Sequence, residues 1–216
     1  MEIVIALTCL VGFIPVLLPL VLAILLVEGT PVLFRQKRVG YKGRLFDFYK
    51  LRTMKTGSAG ALVTAEGDAR VTTIGRLLRR TKLDEIPSLW NVVKGDMALV
   101  GPRPEVPRYV DLNSPDWRLV LQARPGITDP VTADLRDEEG LLASARTNPE
   151  VFYLEALQPY KLRGYLQYLS ERSCWIDLKV LTRTCAVVIF PWLYTSVAAA
   201  TFASTATPTE KLSRPE

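Results

Sequence analysis

The chain of 216 residues contains no histidine. That absence excludes Ser-His and Cys-His nucleophile pairs, His-ligated zinc and any imidazole acid or base. Cysteine is scarce as well: Cys9, Cys174 and Cys185 have no metal-ligand spacing, and Cys9 lies inside an apolar run. They read as reduced packing residues, which places the folded domain in the cytosol. No internal repeat is present. Catalysis by this chain therefore falls to carboxylates, Lys, Arg, Ser, Thr or Tyr, working with a hard metal ion.

Charge is missing from one long stretch. Ile3 to Val27 runs for 25 residues without a charged side chain, flanked by Glu2 and Glu28. As a helix it would extend about 37 Å, enough for a hydrocarbon core of about 30 Å. It has neither a basic leading region nor a small-residue cleavage site, so it does not read as a cleaved signal peptide. Pro15 and Pro19 fall near its middle, where each removes a backbone donor and crowds the preceding turn. A straight span and a bent, re-entrant hairpin both fit this spacing, since membrane helices tolerate proline. The basic residues that follow place the downstream domain in the cytoplasm under either reading.

The rest is rich in charge, with 27 Lys and Arg against 22 Asp and Glu for a net +5. Such a surface favours anionic partners, without choosing among membrane phosphates, nucleotides and nucleic acid. Between Arg35 and Arg52 lie seven basic residues and one acid, Asp47. Two strand-like runs, Val32 to Val39 and Arg44 to Arg52, flank the turn Gly40-Tyr41-Lys42-Gly43. Alternation puts Phe46, Phe48, Lys50 and Arg52 on one face. Arg35, Lys37 and Arg38 read as a collar drawn to lipid headgroups. Lys50 and Arg52 sit deeper in the pattern and are candidates to hold a phosphate.

Thr56 to Asp68 is small and polar, and reads as a mobile loop able to cover a site. Thr73 then caps a helix with Ile74, Leu77 and Leu78 facing inward. That helix delivers the chain to Asp84-Glu85. Pro87 is tolerated only in a first turn, so the next helix starts near Asp84 and presents Leu89, Trp90, Val92 and Val93 to the core. Both carboxylates then lie at the positive end of a helix dipole, which favours their ionised forms. Capping alone explains an isolated Asp-Glu pair. The accompanying cations and the missing histidine point further. An ionised aspartate can attack phosphorus, and its neighbour can hold Mg²⁺, which needs only one or two protein carboxylates. Arg103, stiffened between Pro102 and Pro104, can grip a phosphate bidentately or form a structural ion pair with Glu105.

The run DEIPSLWNVVKGDMALVGPRPEVPRY resembles the signature of the bacterial sugar transferases, the monotopic phosphoglycosyl transferases. FRQKRVGYKGRLFDFYKLRTM is similar to their second block and ARPGIT to their third; the proline-bent start and WIDLKVLTRT also match. The resemblance covers nearly the whole chain in the family's order. It implies transfer of a sugar 1-phosphate from a UDP-sugar to a polyprenyl phosphate, usually undecaprenyl phosphate, with UMP leaving. It assigns the covalent phosphosugar intermediate to Asp84, and Mg²⁺ to the dyad of Asp84 and Glu85. Lys50, Arg79 and Arg103 match the family's cations, near the phosphates or supporting the dyad, and Pro15 its helix break, which favours the hairpin. One departure stands out: many members continue the third block as GLAQVNGR, whereas this chain reads Gly126-Ile127-Thr128-DPVTADLR. Arg136 still falls where the family's arginine does, so the change touches sugar or uridine recognition. Ile14 stands where a serine usually precedes the membrane proline.

The C-terminal half is less specific. Asp134 to Glu155 reads as helices around Asn148-Pro149, with Asp137, Glu138 and Glu139 on a solvated face. Tyr160, Tyr165 and Tyr168, mixed with Lys161 and Arg163, suit either an interfacial helix or ordinary core packing. Trp175 to Val188 reads as a helix, residues 186–203 as a shallowly inserted or surface-lying apolar element, and residues 204–216 as a disordered tail.

The expected architecture is thus a mostly helical α/β protein: a re-entrant membrane hairpin over residues 1–30, then a catalytic domain over 31–203 with a short β-hairpin and interfacial helices. The expected setting is the cytoplasmic face of a bacterial inner membrane, with UDP-sugar, polyprenyl phosphate and the bilayer as partners and no nucleic acid. A homodimer is left open. The rival is a non-catalytic membrane-anchored protein whose basic collar binds anionic lipid or another polyanion.

Overall fold

The computed structural model describes residues 1–58 and 60–190. The apolar start forms two helices, α1 (Glu2–Gly12) and α2 (Ile14–Glu28), bent by 58°. Among the described residues no single helix is long and apolar enough to cross a membrane; this bent pair passes that test only together. The break falls at Phe13, and Pro15 is the second residue of α2. Pro15 has no N–H to offer the carbonyl four residues back, and its ring crowds that turn. The helix restarts where Leu17 N donates to Phe13 O at 2.8 Å. Pro19 lies inside α2 without ending it.

Both arms of the hairpin pack on the domain through one buried face. Ala6 joins Phe46, Phe48, Ile86, Leu89, Val92 and Met97 in one cluster. Ile24 joins Leu51 and Leu78 in another. The outer face is apolar as well: Val4 is 67%, Leu18 63% and Leu26 75% exposed. A soluble domain rarely shows so continuous an apolar surface, so this face is built to be covered.

β1 (Leu33–Val39) and β2 (Leu45–Leu51) form the expected antiparallel hairpin, with Arg38 opposite Phe46, Gln36 opposite Phe48 and Phe34 opposite Lys50. Gly43 takes φ +75° in its turn, a conformation open to glycine at little cost. α3 (Thr73–Thr81) is capped by Thr72, not Thr73: the Thr72 hydroxyl accepts from Gly75 N at 2.9 Å. Leu78 is buried as expected, whereas Leu77 is 58% exposed and points outward. The chain after α3 turns sharply at Lys82, φ +59°, into a tight 3-10 stretch, Leu83–Ser88, before α4 (Leu89–Val93). The dyad thus sits in a 3-10 turn, not on the α-helix. Leu89 and Val92 reach the core, but Trp90 stays 47% exposed.

A second, parallel pair of strands, β3 (Ala98–Val100) and β4 (Gly126–Thr128), was not evident from the sequence. Its backbones touch at two glycines: a Cβ on Gly126 would lie 2.2 Å from Gly101 N. Between them lies α5 (Pro115–Val120). α6 (Glu138–Ser144), α7 (Pro149–Phe152), a π-helical turn (Tyr153–Leu157) and α8 (Gln158–Glu171) complete the domain, and α9 (Cys174–Ile189) runs back along β4. Thr184 and Thr128 share a hydroxyl contact of 2.5 Å, and Arg183 donates to Asp134 at 2.7 Å.

Several expectations for this half change. For Tyr165 and Tyr168, where an interfacial helix and core packing both fitted, burial decides for the core. Glu138 and Glu139 are not a solvated face: Glu138 accepts from Lys161 at 2.8 Å, and Glu139 binds Arg79. Only Asp137 serves locally, capping α6 at Gly140 N. The Thr56–Asp68 loop is tied down along its second half, where Arg70 donates to Ala61 O and Val63 O and Glu66 N donates to Glu139 O. Most of the apolar element at 186–203, and the tail at 204–216, lie outside the described residues.

Candidate active site

The structure brings Asp84, Glu85, Lys50, Arg79 and Arg103 into one charged cluster between β2, α3 and the Gly101–Pro104 loop. Three constraints aim the dyad. The left-handed Lys82 turns the chain, Ser88 Oγ holds Glu85 O at 2.6 Å, and Asn91 pins α4 to β2. Asn91 is fully buried; its Nδ2 donates to Asp47 O at 2.7 Å and its Oδ1 accepts from Tyr49 N at 3.3 Å.

The two carboxylates have opposite environments. Asp84 is buried, and its Oδ1 has no hydrogen-bond partner. Its Oδ2 faces Lys50 Nζ at 4.0 Å. Burial, together with the adjacent Glu85 charge, pushes the Asp84 carboxyl above the usual aspartate range, against the pull of Lys50, Lys82 and Arg79. Burial would raise Glu85 too, but the Arg103 guanidinium overrides it and draws that carboxyl down to about 2. Arg103 is forked onto it, Nη1 to Oε2 at 3.2 Å and Nη2 to Oε1. The Glu85 charge in turn holds Arg103 well above its ordinary range. Glu85 is thus a fixed anion with both oxygens engaged, and Asp84 is a carboxylate with one oxygen to spare.

Lys50 completes the site. Burial draws its ammonium from the ordinary lysine value to about 8, although Asp84 pulls the other way. The Phe34 ring lies beneath it, 5.6 Å from Nζ. Arg79 approaches from α3, held by Glu139 at 2.7 Å through Nε and by Thr53 Oγ1 at 3.4 Å through Nη1.

One proposed phosphate ligand lies elsewhere. Arg52 turns to the end of the hairpin, where its Nη2 donates at 2.8 Å to both Glu28 O and Gly29 O and sits 3.7 Å from Glu28 Oε2. Those carbonyls close α2, so Arg52 is engaged as a helix cap. Arg136 lies half-buried in the turns after β4, between Asp129 and Glu138, whose charges act on Arg103. Arg103 itself pairs with Glu85 and not with Glu105, which instead accepts from the Tyr153 hydroxyl.

Arg38 belongs to this cluster and not to the lipid collar. Its Nη1 donates to Pro104 O at 3.0 Å, its Nε is buried without a partner, and burial lowers its guanidinium despite the nearby Glu105. The signal for it was available: carried across the turn, the alternation that puts Phe46 inside puts Arg38 beside it. Glu139, Asn91 and the Glu105–Tyr153 pair gave no comparable signal.

Among the described residues no three His, Cys, Asp or Glu side chains gather as a metal cage. The open donor of the dyad is the unpartnered Asp84 Oδ1, whereas the expected second ligand, Glu85, has both oxygens taken by Arg103 and adds only its neighbouring charge. A single open carboxylate fits Mg²⁺, which keeps water and substrate phosphate oxygens as its other ligands.

The family model described as bacterial sugar transferase matches residues 1–191. A UDP-glucose:undecaprenyl-phosphate glucose-1-phosphate transferase of Caulobacter vibrioides is 40% identical over 177 residues, which cover 80% of this chain and 62% of that protein. One of the same name from Escherichia coli is 35% identical over 85% of this chain and 38% of its own length. An uncharacterized sugar transferase, EpsL of Bacillus subtilis, is 34% identical over 74% of this chain and 71% of its own. The chain therefore spans less than two thirds of the length of the first two of these relatives. The chain belongs to the bacterial sugar transferase family.

Proposed function

We propose that the protein is a phosphoglycosyl transferase that moves a sugar 1-phosphate from a UDP-sugar to undecaprenyl phosphate. The observation that carries this reading is the buried Asp84 carboxylate, with one unpartnered oxygen, facing Lys50 across 4.0 Å beside a Glu85 locked by Arg103. The names of the relatives supply the acceptor and the class of donor.

The reaction divides into two displacements at phosphorus. An ionised Asp84 oxygen attacks the sugar-bearing phosphorus of the donor, the P–O bond to the uridylyl phosphate breaks, and UMP leaves with the bridging oxygen. The lipid phosphate then places one of its oxygens on the same phosphorus, the acyl–phosphate bond breaks, and Asp84 is restored as the lipid diphosphosugar forms. Burial raises the free energy of ionised Asp84, so the attacking oxygen is held poorly solvated and reactive. Lys50 and Arg79 face the charge that builds on the transferring phosphoryl oxygens. Arg103 keeps Glu85 ionised and fixed. Mg²⁺, held at Asp84 beside the fixed charge of Glu85, would supply charge neutralisation at the diphosphate.

The hairpin fits the same reading. Its apolar outer face and 58° bend suit a re-entrant segment that enters and leaves one leaflet, with the domain on the cytoplasmic face of a bacterial inner membrane. That setting places the dyad at headgroup depth, where a lipid-borne phosphate meets a soluble nucleotide sugar. The test is the identity of the released nucleotide across a panel of UDP-sugars. UMP supports the proposal; UDP makes the protein an ordinary glycosyltransferase, and no release makes it a binding protein.

A further inference from the structure

Arg79 is a long, flexible side chain placed where its charge acts on both Asp84 and Lys50. Close backbone packing brings it there. A Cβ on Gly75 would lie 2.1 Å from Thr53 O, so α3 rests directly on the chain that leaves β2. Arg79 follows Gly75 by four residues and leaves the same face of the helix. That packing fixes the base of the side chain but not the direction of its guanidinium. Thr53 Oγ1 accepts from Nη1 at 3.4 Å, beyond the usual range for such a bond.

Glu139 supplies the aim. Its Oε1 accepts from Arg79 Nε at 2.7 Å and from Nη2 as well. The residue stands on a rigid base: Asp137 caps α6 at Gly140 N, and Leu141 and Leu142 are buried among Val106, Leu135 and Leu157. The adjacent Glu138 turns instead to Lys161. The Glu139 main-chain carbonyl accepts from Glu66 N at 2.9 Å, and Val63 and Ala65 pack on the same cluster as Leu141. α3, α6 and the loop before α3 therefore meet at one residue. Glu139 lies outside the blocks that carry the family resemblance, just past the departing DPVTADLR stretch. Its side chain is 40% exposed, so the ion pair adds little to stability. What the pair does determine is where the guanidinium points.

We propose that Glu139 is a positioning residue for the transfer: it holds the Arg79 guanidinium toward the reacting phosphoryl group and acts on the reaction only through Arg79. The inference rests on the phosphoglycosyl transferase reading and deepens it.

The test compares the full chain with Glu139→Ala and Glu139→Gln in lipid nanodiscs, reading UMP release with donor alone. Glu139→Ala lowers the rate at saturating donor about tenfold or more, while KM changes less than about twofold, the split expected when a group aimed at the transition state is misdirected. Glu139→Gln, which keeps an oxygen for Nε, recovers most of that loss. In an Arg79→Gln background, Glu139→Ala costs less than about twofold, because residues acting through one another are not additive. An unaltered rate in Glu139→Ala, no recovery in Glu139→Gln, or an equal loss with and without Arg79 overturns the proposal. A second measurement does not depend on turnover. The Arg79 Nε–H signal in the NMR spectrum, assigned by its absence from Arg79→Gln, exchanges slowly with water in the wild type and in Glu139→Gln, and rapidly in Glu139→Ala, with the backbone signals of α3 unmoved. Rapid exchange in the wild type, or a displaced α3 in Glu139→Ala, overturns it too. Absence of UMP release from the wild type sinks the underlying reading instead, so the two failures are told apart.

Discussion

Arg103 spends two nitrogens of its guanidinium on Glu85, while the adjacent Asp84 keeps an oxygen that nothing in the fold satisfies. Adjacent residues of one 3-10 turn are thereby given different work. One is neutralised into the scaffold and the other is left available for reaction.

Removing Arg103 strands the Glu85 charge. Arg103→Ala is expected to lower stability by about 3 kcal/mol, the lower end for a broken buried pair because the Arg103 side chain is one-third exposed. The double variant Arg103→Ala/Glu85→Gln recovers much of that loss, since no ionised partner remains. Thermal unfolding of the three proteins measures both effects.

Asp84→Asn should be more stable than the wild type while losing activity. A carboxyl whose folded value is raised contributes stability only at low pH, and loses it as pH rises through that value. At neutral pH the buried ion is therefore a cost that the amide removes. An increase in Tm of about 2–4 °C, corresponding to about 1 kcal/mol, is expected, with turnover down at least about 10³-fold. A fall in Tm would mean that the Asp84 charge is satisfied in the fold.

The pH dependence of kcat/KM should be bell-shaped. The acid limb follows ionisation of Asp84, displaced above the ordinary aspartate range by burial. The alkaline limb follows Lys50, which loses its proton near pH 8 in the free enzyme, so activity falls as pH rises through that value. Lys50→Arg keeps the charge at high pH and should move the alkaline limb upward, though with a lower maximum. An unchanged alkaline limb in that variant would remove Lys50 from the role.

Chelation should halt the first displacement. With EDTA, UMP release from donor alone falls to background, and Mg²⁺ restores it. Full activity without a divalent ion would leave Lys50, Arg79 and Arg103 to carry the phosphate charge unaided.

Much of this was legible because local chemistry repeats in the sequence. Twenty-five uncharged residues interrupted by Pro15 gave the bent pair, and the Gly40–Gly43 turn between alternating runs gave the β-hairpin. Asp84, Glu85, Lys50 and Arg103 lie in the motif blocks, and Arg79 came from the family resemblance alone. What escaped depends on partners distant in sequence. Arg52 looked free for phosphate until α2 ended against it, 23 and 24 residues away. Arg79 gains its counter-ion, Glu139, from 60 residues further on, in a stretch whose acidity reads as solvation. Short parallel strands such as β3 and β4, three residues each, carry too little pattern to be seen at all. The tyrosines of α8 were ambiguous because an aromatic beside a cation suits a membrane surface and a core equally well. Lys161 settles the point by burying its ammonium against Glu138 and over the Tyr153 ring.

The most direct measurement is the intact mass of the wild-type protein, and of its Asp84 peptide, after mixing with donor and Mg²⁺ in the absence of acceptor. The account predicts one added sugar phosphate per chain, located on Asp84, released on addition of undecaprenyl phosphate and absent from Asp84→Asn. Turnover with residue 84 unmodified, or undiminished in the asparagine variant, would contradict it.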